Sequence, residues 1–281
     1  MTTTSAQRGT TVGGVPEPGG GRAAAGGGGG RPGYADPMTA PAPDWSALAA
    51  SLVEALGLAV PPVAITFAAA PPAEVEPFAD PMPAPTPDGR TGRVPAGCVF
   101  WTRAAERTFS TVAEDHANCS VGSVTHGFAT LDEVVGREDV AALLESGWVT
   151  PEAVPTIPVV SERAGAVVYG PLAGTPVTPD VVLVRVDGRQ LMVLSDALPG
   201  LRIEGKPQCH IVAVAKEQDE VVASVGCMLS RMRTRLANSE MTCAIPAGRL
   251  AEVVERVAAT ADCDRAVARY ASEDARRFSA V

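Results

Sequence analysis

Residues 166–197 read AVVYGPLAGTPVTPDVVLVRVDGRQLMVLSDA. The runs Ala166 to Tyr169 and Val181 to Val186 are apolar and rich in β-branched side chains, which suits strands of a buried sheet. A Gly/Pro-rich turn separates them, and a helix around 188–197 follows. Working outward, Val221 to Val225 and Met241 to Ile245 read as further strands. Pro246 opens an amphipathic helix with Leu250, Val253, Val254 and Val257 on one face. Residues 209–215 fit strand or helix equally. Toward the N-terminus, Asp44 can cap a helix from Trp45 to Leu56, stopped by Gly57, and Pro62 to Phe67 forms a strand. Residues 98–107 look helical, Thr108 to Ala113 extended, and 138–147 a short amphipathic helix. Strands separated by helical segments predict an α/β or α+β layer fold, a mixed sheet flanked by helices.

The organisation follows. Residues 1–43 contain GGGRAAAGGGGGRPG and little bulky apolar matter. Such a segment cannot bury enough surface to offset its ordering entropy and is expected to be a disordered tail. Met38 stands before the first foldable stretch and is a candidate natural start. Residues 44–260 are expected to form one globular domain, and 261–281 a peripheral, charged C-terminal helix. The proline-rich stretch 68–95 reads as a long surface loop, a candidate lid.

Composition narrows function. The formal charge is −9, which repels phosphate backbones and argues against nucleic acid. No apolar run is long enough to span a bilayer, and no secretory leader is visible, so the cytoplasm is the expected compartment. In a reducing cytosol the six cysteines are core fillers, metal ligands or redox groups rather than structural disulfides.

All three histidines lie near cysteines: His116 and His126 flank Cys119, and His210 follows Cys209. Cys98, Cys119 and Cys227 stand at junctions between elements, where loops of α/β proteins converge on ligands. Thiolates in such places can act as nucleophiles or bind soft metals. Cys243 sits inside an apolar strand and reads as core, and Cys263 lies on the charged terminal helix. There is no CxxC pair, so a metal site here must be assembled from distant segments. Glu114 and Asp115 beside His116 are candidates to orient the imidazole or to serve as acid and base. The run Met228 to Arg235 carries three arginines. Ser230 and Arg231 are its candidate anion binders, because guanidinium grips carboxylates and phosphates in a fork. GxSxG, GxxxxGK[ST] and HExxH are all missing from the sequence.

Taken in order, Leu56-Gly57-Leu58, Pro61 to Ala64, Cys98, Glu114-Asp115-His116, Cys119, Pro179 to Val182, Cys209, Gly226-Cys227, Ser230-Arg231 and Ile245 to Ala247 resemble one pattern. It is that of a cysteine-containing prokaryotic family catalogued as domain of unknown function 169, and the likeness covers roughly residues 44–260. The resemblance implies family cysteines at 98, 119, 209 and 227, with Cys243 and Cys263 outside the set. It also implies a proline after the second cysteine, where this chain has Ser120. It names no reaction. On these grounds the chain is expected to be a cysteine-ligated metal protein, carrying an iron–sulfur cluster on Cys98, Cys119, Cys209 and Cys227. His116 and Asp115 would lie behind the ligands, and a small-molecule or redox partner is expected. The alternatives are zinc or no metal: a thiol enzyme using Cys119 or Cys227 with His116 as base, or a non-catalytic small-molecule-binding module.

Overall fold

The computed structural model describes residues 42–79, 98–205, 208–234 and 236–278. The glycine-rich tail and its Met38 fall outside these residues, as does most of the proline-rich loop, from 80 onward. One seven-stranded sheet organises the chain, in the order β2-β3-β1-β4-β7-β6-β5. The strands are β1 Val63–Ala68, β2 Phe109–Thr111, β3 Ala166–Pro171, β4 Val181–Val186, β5 Arg202–Glu204, β6 Val222–Ser224 and β7 Met241–Pro246. Every neighbouring pair is antiparallel except β5 with β6, which makes the sheet mixed and the class α/β.

Nine helices accompany the sheet among the described residues. They are α1 Trp45–Leu56, α2 Cys98–Arg103, α3 Ser120–Thr125, α4 Leu131–Val134, α5 Glu138–Glu145, α6 Gly188–Ala197, α7 His210–Gln218, α8 Met228–Thr234 and α9 Leu250–Phe278. The local signals at α1 act as read: Asp44 Oδ1 accepts the Ala47 N–H at 3.0 Å, and Gly57 ends the helix at φ 65°, a left-handed conformation that glycine adopts without penalty. The ambiguous segment 209–215 is helical. The helix after Pro246 and the terminal helix are one continuous α9, begun after a short 3-10 turn at Ala247–Arg249. Beyond Ala261 that helix is largely exposed, which keeps its far half peripheral.

The period of two along each strand divides the core into two clusters. Val182, Val184 and Val186 of β4 join Leu52 and Leu56 of α1, Leu191 and Leu194 of α6, and Val253 and Val257 of α9. Val181 and Leu183, one residue out of phase, join Ile65, Tyr169, Phe100, Trp101 and Phe109, with Ile211, Val212 and Val214 of α7. The first cluster is aliphatic. The second is aromatic, and Cys98 and Cys209 pack against it.

Candidate functional site

The cysteines expected to matter all occupy helix starts on the aromatic side. Cys98 is the first residue of α2, Cys119 the N-cap of α3 and Cys209 the N-cap of α7, while Cys227 directly precedes α8. Helix α2 packs against α8, and α3 against α7. None of the four cysteines is in a disulfide, and all are partly exposed. Backbone N–H groups without intrahelical partners face such positions, and the Ser230 N–H donates to Cys227 Sγ at 3.3 Å.

Electrostatics tie the four together. Burial pushes the Cys209 thiol well above its ordinary range, and the neighbouring Cys119, Cys227 and Cys98 push it further, while a hydrogen bond from Thr125 opposes the rise. Tyr169 is raised by burial and then by Cys98 and Cys209. Its phenol end therefore feels two of the four thiols. Cys243 is a core residue of β7 in the aliphatic cluster, its thiol pushed up to about 12 by burial, and Cys263 is exposed on α9. Among the described residues, no three His, Cys, Asp or Glu side chains are gathered tightly enough to hold a single metal ion.

The histidines behind the site are neutral, and their hydrogen bonds fix their tautomers. The Thr111 hydroxyl has one proton and gives it to Val167 O at 3.1 Å. It must then accept from His116 Nε2–H at 3.0 Å, which leaves Nδ1 as the bare imine nitrogen. His126 Nδ1–H donates to Gly122 O at 2.9 Å, leaving Nε2 bare. Neither bare nitrogen has a hydrogen-bond partner among the described residues. Burial, and for His116 also the neighbouring His126, holds both imidazoles below their ordinary value, His126 at about 4. Their ring centroids are 5.6 Å apart, and His116 also sits 4.8 Å from Phe100 and 6.4 Å from Tyr169. Trp101 Nε1 and Tyr169 Oη are likewise buried without a partner among the described residues. Such atoms are rare in folded proteins, and each costs about 1–3 kcal/mol unless something else satisfies it.

Two expected participants have other tasks. Asp115 Oδ2 accepts the Val112 N–H at 2.9 Å and so closes the turn that carries His116. Arg231 does not reach outward as an anion clamp. Its guanidinium donates to three backbone carbonyls, Val225 O at 2.7 Å, Glu240 O at 2.9 Å and Ala237 O. It braces the loops on both sides of α8. Gly226 has φ 91°, a conformation that favours glycine, and a Cβ there would stand 3.1 Å from Arg231 Nη2, so the guanidinium would have to give by a few tenths of an ångström. Ser230 is buried and engages Cys227 through its backbone N–H. The side chain of Arg233 and all of Arg235 lie outside the description.

Several positioning residues escaped the sequence reading. Asp139 of α5 accepts from Ser120 N at 2.9 Å and Ser120 Oγ at 2.7 Å, which anchors α3 directly after Cys119. A proline at 120 could give neither bond, so serine there accompanies a local change of anchoring. Gln208 Nε2 donates to Thr242 Oγ1 at 2.7 Å and ties the approach to Cys209 to β7. One signal for Tyr169 was available: a polar-tipped aromatic in a strand otherwise made of Ala, Val, Gly and Pro, in a chain with three tyrosines.

Comparison with family profiles matches residues 51–256 to domain of unknown function 169, described as uncharacterised ArCR. The chain belongs to this family. The matched span takes in Cys98, Cys119, Cys209, Cys227 and Cys243, while Cys263 falls beyond it. No curated protein and no solved structure matches the chain. No helix among the described residues is long and apolar enough to cross a membrane.

Proposed function

We propose that the chain is a cytosolic iron–sulfur protein in which Cys98, Cys119, Cys209 and Cys227 hold the cluster and which has a redox or accessory role. What supports this reading is that Cys119, Cys227 and Cys98, each at its own helix start, lie near enough to Cys209 to push its thiol up beyond what burial alone does. Four thiolates in one partly buried place repel each other strongly, and a bound group rich in positive metal relieves that repulsion. A buried donor beside two of them fits the same need. The Tyr169 hydroxyl, close enough to Cys98 and Cys209 to be raised by them, has no partner among the described residues, and cluster sulfurs accept such bonds. A single zinc fits less directly, since it draws its thiolates to roughly 2.3 Å from one point.

A bound cluster supplies one-electron chemistry at a potential set by hydrogen bonding and solvent access. The chain's own residues set those conditions. Thr125 beside Cys209 opposes the rise of its thiol, and the Ser230 N–H donates to Cys227. Arg231 and Gly226 fix the loop that presents Cys227, and Asp139 fixes Cys119. His116 and His126 stay neutral and back the site without adding charge. A small molecule or an electron carrier is the partner this role calls for, and the net charge of −9 disfavours nucleic acid.

One observation favours a second reading. The hydrogen bond on Cys227 Sγ is the kind that stabilises a thiolate nucleophile, as in a metal-free thiol enzyme. Protein purified without oxygen decides between them. Broad visible absorbance with iron and acid-labile sulfide in equal amounts supports the cluster. A colourless, metal-free protein with one fast-alkylating cysteine at neutral pH overturns it in favour of the thiol enzyme.

A further inference from the structure

Helix α9 carries two apolar faces. Leu250, Val253, Val257 and Ala261 of its first half are buried in the aliphatic cluster with α1 and α6. A second stripe begins at Cys263 and runs through Val267, Tyr270, Ala271 and Phe278, at spacings of three, four and seven that keep it on one side of the helix. At the α-helical repeat this stripe stands about a quarter-turn away from the buried face. The body of the chain therefore leaves it uncovered: Val267 is 64% exposed, Tyr270 67% and Phe278 73%. Arg265, Arg269 and Arg276 occupy the opposite side. A helix solvated all round needs no such stripe, and an apolar patch rimmed by charge marks an interaction surface.

Size and charge both select a second copy of the same helix. The two rings of one stripe carry roughly 150 Å² each of surface that a partner can cover. With Val267 and the small residues between them, two stripes together bury about 1,000 Å², the lower bound for specific association. Asp262 lies eight residues before Tyr270, and Arg277 lies seven after it. In an antiparallel pair centred beside Tyr270, Asp262 of each copy meets Arg277 of the other, so opposite charges flank the seam at both ends. Within one chain Asp262 meets Arg265 of its own helix, but both side chains are at least half exposed, and such a pair exchanges partners at little cost. The same centring sets Tyr270 beside its own copy and lays Phe278 over the small Cys263. A parallel pair in register would instead set Asp262 beside Asp262 and Arg277 beside Arg277.

We propose that two copies of the chain associate through this stripe, the exposed halves of α9 packed antiparallel about a two-fold axis beside Tyr270. The modest area makes the dimer reversible.

Sedimentation velocity of the full chain under reductant, from about 1 µM to about 200 µM, tests this. The wild type is expected to pass from monomer to dimer within that range. Tyr270→Glu, at a site exposed in the single chain, is expected to weaken association by roughly tenfold or more. Arg277→Asp is expected to weaken it about threefold, and the double exchange Asp262→Arg with Arg277→Asp to restore it. The proposal is overturned if the wild type stays monomeric throughout, if Tyr270→Glu associates as the wild type does, or if the double exchange is as weak as Arg277→Asp alone.

Discussion

On one face of the sheet, α1, α6 and α9 bury leucines, valines and alanines, and Cys243 among them is a small apolar filler. On the other face, α2, α3, α7 and α8 bring together aromatic rings, two neutral imidazoles and four thiols. Buried polar atoms without partners among the described residues concentrate on this second face: Trp101 Nε1, His116 Nδ1, His126 Nε2, Tyr169 Oη, Gln208 Oε1 and His210 Nε2. The same strands serve both faces, because β4 sends Val182 and Val184 one way and Val181 and Leu183 the other. The difference teaches a division of labour. The aliphatic face holds the sheet together by area removed from water, and the aromatic face leaves polar atoms without partners among the described residues beside thiols at helix starts.

The sharpest test of that division is Leu194→Ala on the aliphatic face. Leu194 is fully buried, so a loss of about 2–5 kcal/mol is expected in urea unfolding, with metal content of the folded protein unchanged. Loss of metal at unchanged stability would break the comparison.

A pH series comes next. His116 and His126 are neutral in the folded protein below the pH at which they charge in the unfolded chain. Between about pH 6.5 and 4 the unfolded state therefore binds the extra protons, and stability falls as pH is lowered through that window. For His126 alone the loss is on the order of 3 kcal/mol, from a value near 4 against the ordinary one. Comparing urea midpoints at pH 7 and pH 5 checks the sign, and His126→Gln should flatten the slope. Stability that rises on acidification would contradict the burial of these rings.

Arg231→Ala removes three carbonyl bonds around α8 and should cost about 1–3 kcal/mol. It should also loosen Cys227, seen as faster alkylation of that residue in metal-free protein. An unchanged alkylation rate would mean the brace serves stability alone.

Tyr169→Phe should have the smallest effect on stability, within about 1 kcal/mol and of either sign, because it deletes a hydroxyl with no partner among the described residues. Its effect should appear instead in the visible spectrum or potential of the bound group. A large stability loss with an unchanged spectrum would move Tyr169 to the structural side of the comparison.

Much of the aliphatic face was legible in the sequence. Strand β4 announces itself by an unbroken β-branched run, α1 by Asp44 and Gly57, and α9 by its repeat of valines. Order and residue type singled out Cys98, Cys119, Cys209 and Cys227, but not that each stands at a helix start, nor the packing of α2 on α8 and of α3 on α7 that brings those starts to one side of the sheet. Helix α3 was missed because Ser-Val-Gly-Ser-Val-Thr is poor in helix formers; Asp139, nineteen residues on, supplies the anchor that local preference does not. Strand β5 was missed because three residues carry no period. Arg231 looked like a clamp because sequence cannot show that three carbonyls already occupy it.

Metal and sulfide content across six single Cys→Ala variants, each purified without oxygen, tests the central claim most directly. The account predicts that Cys98→Ala, Cys119→Ala, Cys209→Ala and Cys227→Ala each lose the bound group, while Cys243→Ala and Cys263→Ala keep it at the wild-type ratio. Full retention in all four of the first set, or loss that follows Cys243 instead, would contradict it.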